Sequence, residues 1–279
     1  MAAVRALQRP SPKRRNHGVG RQPRGDGPIP DRDAATHPVR HSHPGRPMMN
    51  LHLHREIEKL KTMLLSLGTD VEEHVYKAVQ ALDERNGTLA DQVIGSDEQV
   101  DRYEVYLEEE CLKILALHQP VAIDLRFVIA VLKINNDLER IGDLAVNIAE
   151  RAKFLAGRDV LDVPFDFMGM ADKTRAMLKK SLDALVNMDP RMARDVCAAD
   201  DEVDALNREM YGRIQKSMQQ HPDRIDGLIH YLGVSRYLER IADHATNIAE
   251  DVIYMVDGDI VRHRADRYRP RQAGQPRAS

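Results

Sequence analysis

The chain of 279 residues has no tryptophan, four phenylalanines and two cysteines. With so few aromatic side chains, we expect leucine, isoleucine, valine, methionine and alanine to form the core. Cys111 and Cys197 match no metal-binding or redox spacing, so we expect both to be buried, reduced thiols of a cytoplasmic protein. No apolar run approaches the roughly 18–20 residues of a membrane span, so we predict that no segment crosses a membrane.

Short motifs of catalysis and nucleotide binding are also missing. We find no G-x-S-x-G, P-loop, Rossmann glycine pattern or zinc-protease motif in the sequence. Carboxylate di-iron sites use Glu-x-x-His on two helices, and this motif does not occur either. These absences favour a protein that is not an enzyme. The alternative is a metal-dependent helical-bundle enzyme of the carboxylate di-iron type.

Basic residues are concentrated at the two ends of the chain. Residues 1–47 hold ten Lys or Arg and three acids, and residues 262–279 hold six Arg and one acid. Since the whole chain carries −3, these end charges of +7 and +5 leave −15 for residues 48–261. We predict disordered basic segments at 1–49 and 259–279. The acidic body argues against nucleic acid as a partner and suits cations or basic proteins.

The basic N-terminal segment has two interpretations. Its prolines are incompatible with the amphipathic helix of a transit peptide, and no apolar core of a secretory signal follows. It is either a translated disordered extension or the product of a misassigned start, with translation beginning at Met48 or Met49.

Apolar residues after residue 50 recur at helical spacing, and the alternation typical of strands is absent. The pattern predicts six helices, over about 54–85, 88–117, 120–156, 166–187, 190–220 and 222–256. In the third and sixth helices, apolar positions alternate at three and four residues, which is typical of the seam of an antiparallel bundle. The seam residues are Val131, Ile134, Leu138, Ile141, Ala145, Ile148, Ala152 and Leu155, and then Val234, Leu238, Ile241, Ala245, Ile248, Val252 and Met255.

An internal duplication explains this pattern. LERIGDLAVNIAE at 138–150 returns as LERIADHATNIAE at 238–250, with ten of thirteen positions identical. SDEQVD at 96–101 returns as ADDEVD at 199–204. We therefore predict an all-α fold of two tandem three-helix bundles, at 50–158 and 159–258.

The repeated phrase carries an acidic stripe that points away from the apolar seam. Its members are Glu139, Asp143, Asn147 and Glu150, and their equivalents Glu239, Asp243, Asn247 and Glu250. Two acids four residues apart on a helix repel each other by roughly 0.2–0.5 kcal/mol, which a bound cation would reverse. One helix cannot encircle an ion, and the best ligands from a neighbouring helix are Asp101 and Asp204. The alternative is an ordinary solvated helix face.

Two segments resemble the PhoU family: His118–Glu150 and Ser235–Val256. The resemblance extends over about residues 50–257. It implies an all-helical, non-enzymatic, cytoplasmic protein that is often a homodimer. It also implies a negative regulator of phosphate uptake and phosphate-starvation signalling. The implied partners are the phosphate ABC transporter ATPase and a sensor histidine kinase, at the cytoplasmic membrane face.

The resemblance further implies metal binding. The family's E/D-x-x-x-D motif falls on Glu139 and Asp143 and on Glu239 and Asp243. Relatives often continue with a third aspartate, where this chain has asparagine, at 147 and 247. The lower negative charge favours a single divalent or trivalent ion in each repeat. The identity of the ion stays open among Mg, Mn, Fe and Zn.

Overall fold

The computed structural model describes residues 46–159 and 165–257. Within these ranges the chain forms α1 (Arg46–Asp83), α2 (Gly87–His118), α3 (Ala122–Ala156), α4 (Phe167–Asn187), α5 (Pro190–Gln220), a 3-10 turn (Pro222–Arg224) and α6 (Ile225–Asp257). All six predicted helices are present.

The main difference from prediction is the start of α1, which begins at Arg46 rather than near His54. Residues 46–49 are therefore helical and do not belong to a disordered segment. Pro47 does not prevent this, because proline in a first helical turn loses no hydrogen bond. The rest of the predicted basic segments, 1–45 and 259–279, lies outside the described residues.

The two repeats begin their second helices in the same way. The side chain of Asn86 caps α2 by accepting a hydrogen bond from the Leu89 backbone N–H at 3.0 Å. Asp189 caps α5 through the backbone N–H groups of its first turn. The residues before these caps, Arg85 and Met188, both have a φ of 53°. The two turns therefore have the same conformation and the same type of cap, as expected of an internal duplication.

The two bundles lie side by side. In each repeat the three helices pack on one another, and across the repeats α1 contacts α4 and α3 contacts α6. Within the described residues, α2 and α5 contact only elements of their own repeat. The shared interface is therefore built from α1, α3, α4 and α6, and α2 and α5 lie on the outer sides.

The core follows the predicted seams. All fifteen seam residues of α3 and α6 are buried, and most of them are fully inaccessible. Among the described residues, the buried aromatic side chains are those of Phe127, Phe167 and Tyr231, so aliphatic residues dominate the core as expected. None of the described helices is both long and apolar enough to cross a membrane.

The α3–α6 contact is antiparallel and chemically asymmetric. Near one end, Lys133 of α3 lies 3.2 Å from the buried carboxylate of Asp251 on α6. Near the other end, the equivalent pair is Arg151 and Gly233, where glycine takes the place of the lysine. Arg151 instead donates to the hydroxyl of Tyr237 at 3.4 Å. The duplication has thus kept the helix pairing and changed its charges.

On the other side of the interface, α1 approaches α4 closely at Gly68. A Cβ atom at Gly68 would overlap a methyl group of Leu182, so a side chain there would push α4 away or displace that leucine. One turn further along, Glu72 accepts a hydrogen bond from Arg175 at 3.0 Å. A close apolar contact and an ion pair therefore fix α1 on α4.

The two thiols behave as predicted, with one difference. Cys111 is buried, Cys197 is only partly buried, and both are free. Burial raises the pKa of each thiol to about 12, so both are protonated at neutral pH.

The seam predicts where stability resides on α6. Leu238 is fully buried, so Leu238→Ala should lower the free energy of unfolding by about 2–5 kcal/mol. Ile229 lies on the same helix but is 52% exposed, so Ile229→Ala should change it by no more than about 0.5 kcal/mol. Urea unfolding of both variants tests this, and equal losses would contradict the assigned core.

Candidate functional site

The predicted carboxylates meet in two equivalent grooves, one between α2 and α3 and one between α5 and α6. We call the first set the first carboxylate cluster: Asp97, Asp101, Glu104, Glu139 and Asp143. The second carboxylate cluster consists of Asp200, Asp204, Glu239 and Asp243. The outer helix and the inner helix of each repeat both contribute. In the folded chain the charge of Asp101 acts on Glu139, and the charge of Asp204 acts on Glu239 and Asp243.

In the first cluster, the carboxylates disfavour one another's ionisation. Partial burial raises the pKa of Glu139, and the charge of Asp143 raises it further. Arg140 opposes this shift, with its Nε 3.3 Å from one oxygen of Glu139. Asp101, across the groove, adds a smaller upward contribution. The negative charge of the groove is therefore only partly neutralised by protein groups.

The second cluster is more strongly perturbed. Burial raises the pKa of Asp200 to about 6, and the charges of Asp243 and Asp204 act in the same direction. Burial and neighbouring carboxylates likewise raise the pKa of Glu239 and of Asp243. Asp200 corresponds to Asp97 of the first repeat, whose pKa is also raised, first by burial. The sequence could have pointed to these two aspartates, because both belong to the repeated SDEQVD/ADDEVD phrase.

The clusters sit in half-open grooves. The side chain of Glu139 is 25% exposed and that of Asp143 is 42% exposed. This agrees with the prediction that the acidic stripe lies off the seam, at the outside or at a second interface. The carboxylates are therefore partly desolvated and still in contact with solvent.

The predicted stripe does not stay together along its whole length. The amide of Asn147 donates to the Asp143 backbone carbonyl at 2.8 Å. Asn247 and Glu250 face a different groove, between α3 and α6, with a volume of about 540 Å³. Asp137 lines the same groove and pairs with His244 at 2.8 Å. Glu139, Asp143, Glu239 and Asp243 therefore remain the central candidates.

Each cluster is supported by a buried polar contact that sequence reasoning missed. Asn135 is buried in α3 and donates to the Glu104 side chain at 3.0 Å and to its backbone carbonyl at 2.9 Å. At the equivalent place, Ser235 donates to the Asn207 side chain at 2.7 Å. The sequence does contain a signal for these contacts, because Asn135 and Ser235 are polar residues next to the apolar seam at equivalent positions of the two repeats. These contacts fix the outer helix on the inner helix beside each cluster.

The donor atoms suit a hard cation, but the side chains do not form a ready-made ligand shell. Carboxylate and amide oxygens are the donors that Mg²⁺ and similar ions prefer. One carboxylate oxygen of Glu139, Oε2, is buried and accepts no hydrogen bond, although the Arg140 Nε lies 3.3 Å from it as an ion pair. Across residues 46–159 and 165–257, however, no group of three or more His, Cys, Asp or Glu side chains is placed to hold a metal ion.

The perturbed aspartate makes stability depend on pH. Because the pKa of Asp200 is raised from 3.8 to about 6 on folding, its contribution to stability is complete at low pH and is lost as the pH rises through about 6. In metal-free buffer, Asp200→Asn should therefore be more stable than the wild type above about pH 7. The difference should shrink as the pH falls to about 4.

Urea unfolding across this pH range, with chelator present, measures the difference. The neighbouring Asp201 has an exposed side chain, and Asp201→Asn is the matched control with a much smaller effect. A stability difference for Asp200→Asn that does not vary with pH would contradict the assignment.

Comparison with known proteins agrees with this architecture. The PhoU domain model matches the chain twice, over residues 64–152 and 167–252, once in each three-helix repeat. Relatives named phosphate-specific transport system accessory protein PhoU homolog include one from Pseudomonas putida, 39% identical over 75% of this chain and 82% of that protein. Another, from Aquifex aeolicus, is 37% identical over 76% of this chain and 96% of that protein.

Solved structures show the same arrangement of helices. PhoU from Pseudomonas aeruginosa matches with a TM-score of 0.70 and 36% identity, covering 74% of this chain and 99% of that chain. The phosphate transport system regulatory protein PhoU from Streptococcus pneumoniae matches with a TM-score of 0.67 and 28% identity, covering 76% and 99%. From its two matched domains, its relatives and its fold, this chain belongs to the PhoU family.

Proposed function

We propose that this protein is a non-enzymatic, metal-binding negative regulator of phosphate uptake and phosphate-starvation signalling. It acts in the cytoplasm as an adaptor between the phosphate ABC transporter ATPase and a sensor histidine kinase. The support for phosphate is the family membership, since the relatives are named as accessory proteins of phosphate-specific transport. Homodimer formation, which the resemblance implies, is part of the same proposal.

The observation that carries metal binding is the duplicated set of mutually repelling carboxylates. At neutral pH Asp200, with its pKa raised to about 6, is ionised beside Asp204 and Asp243, and Arg208 and Arg240 neutralise the charge of this cluster only in part. A divalent cation would draw the separated side chains together and remove that repulsion. In each repeat we assign the inner-helix ligands as Glu139 with Asp143 and Glu239 with Asp243. The outer-helix ligands are Asp101 and Asp204.

Removing one set of ligands should leave the other site working. Glu139→Gln with Asp143→Asn should abolish binding in the first repeat only, and Glu239→Gln with Asp243→Asn in the second only. Titration with Mn²⁺ and Mg²⁺, combined with elemental analysis of dialysed protein, measures the number of bound ions. In the wild type, binding to the folded state alone should add roughly 2.7 kcal/mol of stability at a hundredfold excess over Kd.

The control is Glu98→Gln, which removes an exposed acid of α2 outside the cluster. A double variant that binds as many ions as the wild type would identify its stripe as a solvated face. Binding in the second repeat should also weaken as the pH falls through about 6, because protonated Asp200 no longer attracts the ion.

The charge of the body supports an adaptor role. Residues 48–261 carry −15, which favours association with basic surfaces of partner proteins. Exposed charges are screened beyond roughly 8–10 Å at physiological ionic strength, so this association should weaken as salt is added. The partly open grooves place negative charge where a partner or a bound ion can reach it.

Loss of the protein should release the phosphate-starvation response. Deleting the gene should raise expression of starvation genes while phosphate is plentiful, measured with a transcriptional reporter. Glu239→Lys with Asp243→Lys should reproduce the deletion while keeping the helical circular-dichroism signal, because neither residue belongs to the buried seam. Normal regulation in the deletion strain would overturn the proposed function, and unfolding of the variant would overturn the role of the second cluster.

A further inference from the structure

The outer helix of the first repeat exposes an unusual run of apolar side chains. Val105 and Leu112 are each 52% exposed, and they lie seven residues apart, on one face of α2. Leu117 and Val121, at the end of α2 and the start of α3, are 75% and 72% exposed. We call Val105 and Leu112 the α2 strip, because Leu117 lies about 140° further round the helix and Val121 precedes α3. Since α2 contacts only α1 and α3 among the described elements, no other described helix covers this strip.

The duplication supplies an internal control for this surface. The second repeat has polar, exposed residues at the equivalent positions of α5, where Arg208, Gln215 and Gln220 replace Val105, Leu112 and Leu117. Both helices occupy the same place in their bundles, so folding does not require apolar residues there. The same face of α5 does expose one aromatic ring, that of Tyr211 at the position of Glu108, but it has no pair of exposed aliphatic side chains. The α2 strip, an aliphatic pair flanked by acids, is therefore found in the first repeat and not on α5.

The charges around the α2 strip also differ between the repeats, with the first repeat being acidic at this surface. Residues 101–117 of α2 contain five acids and two bases, a net charge of −3, whereas residues 204–220 of α5 contain two acids and three bases, a net charge of +1. The strip is flanked by the exposed acids Asp101, Glu108 and Glu109. The two bases of this segment are paired with acids, since Arg102 lies 3.8 Å from Glu98 and Lys113 lies 2.8 Å from Glu110. In the second repeat, Arg208 itself pairs with Asp204.

We propose that the α2 strip is the docking site for a basic amphipathic helix of a partner protein. The apolar face of such a helix would cover Val105 and Leu112, and its flanking Lys or Arg side chains would meet Glu108 and Glu109. The proposal deepens and rests on the proposed adaptor function, because it names the surface and the chemistry of a partner. It also separates the roles of the repeats, since only the first has this surface.

Two other occupants match the charges less well. A second copy of this chain, docked through the same surface by two-fold symmetry, would bring the acidic flanks against each other. A membrane with anionic headgroups would meet the same repulsion. A basic helix is the occupant that satisfies both the apolar centre and the acidic edges.

The test uses a labelled synthetic 18-residue peptide with leucines on one helical face and lysines elsewhere. A scrambled peptide of the same composition lacks that face. Anisotropy titrations with the full chain should show tighter binding of the amphipathic peptide, weakening with added salt. Val105→Gln with Leu112→Gln should weaken binding about tenfold or more, as expected when central apolar anchors are lost. Glu108→Gln with Glu109→Gln should reduce the salt dependence.

The matched controls lie in the second repeat. Ile229 is also 52% exposed, and Ile229→Gln should leave peptide affinity unchanged, as should Glu202→Gln. Equal binding of the two peptides, or an equal effect of Ile229→Gln, would overturn the proposal. The proposal would also be overturned if the Val105/Leu112 substitutions left peptide binding unchanged and abolished only self-association in sedimentation. The same holds if they abolished only binding to anionic phospholipid vesicles.

A test in cells keeps this inference distinct from the proposed function. The Val105→Gln, Leu112→Gln chain should bind Mn²⁺ as the wild type does but fail to restore repression in the deletion strain. If it restores repression fully, the α2 strip is not the partner surface, and the regulatory role stands. If the deletion has no effect on starvation genes, the proposed regulatory role is wrong. The peptide titration then decides by itself whether the α2 strip binds a basic amphipathic helix.

Discussion

The packing of α3 against α6 is the contact on which the rest of the molecule depends. These helices hold the two buried seams, and each also supports the outer helix of its own repeat. One side of α3 therefore enters the core, while another side presents Glu139 and Asp143 to α2. The same division holds for α6, where Glu239 and Asp243 face α5. The repeated phrase thus specifies core and carboxylate cluster together, which explains why outward positions are preserved along with buried ones.

The clusters reduce the stability that this core provides. Ionised carboxylates that are partly buried and repel one another lower the free energy of unfolding at neutral pH, and exposed carboxylates do so less. This chain has two such sets. Arg140 moderates the first cluster and Arg240 moderates the second, but the second contains an aspartate with a pKa of about 6. The two grooves therefore differ in their response to pH even though their geometry is shared. A chain selected for stability alone would place neutral side chains at these positions.

Helical periodicity made the seams predictable, because burial on one face of a helix leaves a regular trace in the sequence. The approach of Asp101 to Glu139 and of Asp204 to Glu239 follows from acids on successive antiparallel helices joined by short connections, since the two residues of each pair are only 38 and 35 positions apart. Asn247 departed from the stripe, since each step of four residues advances about 40° around a helix and eight residues carry it to another groove.

Contacts between the repeats left no such trace. Lys133 with Asp251 and Asp137 with His244 join residues more than a hundred positions apart, with no periodic signal. The side-by-side arrangement, like the close approach at Gly68, depends on complementary shapes of two surfaces. The start of α1 was missed for a simpler reason, because residues 46–49 were grouped with the basic N-terminal segment on composition, although proline is tolerated in a first helical turn.

The unequal charges of the α3–α6 contact determine which halves can pair. If α3 met a second α3 in the same register, Lys133 would lie opposite Arg151, and two cations would face each other. If α6 met a second α6, the buried Asp251 would lie opposite Gly233 and lose its ammonium partner. Each half is thus complementary to the unlike half and incompatible with itself. Two first repeats or two second repeats therefore pair less well than one of each, whether the two halves belong to one chain or to two.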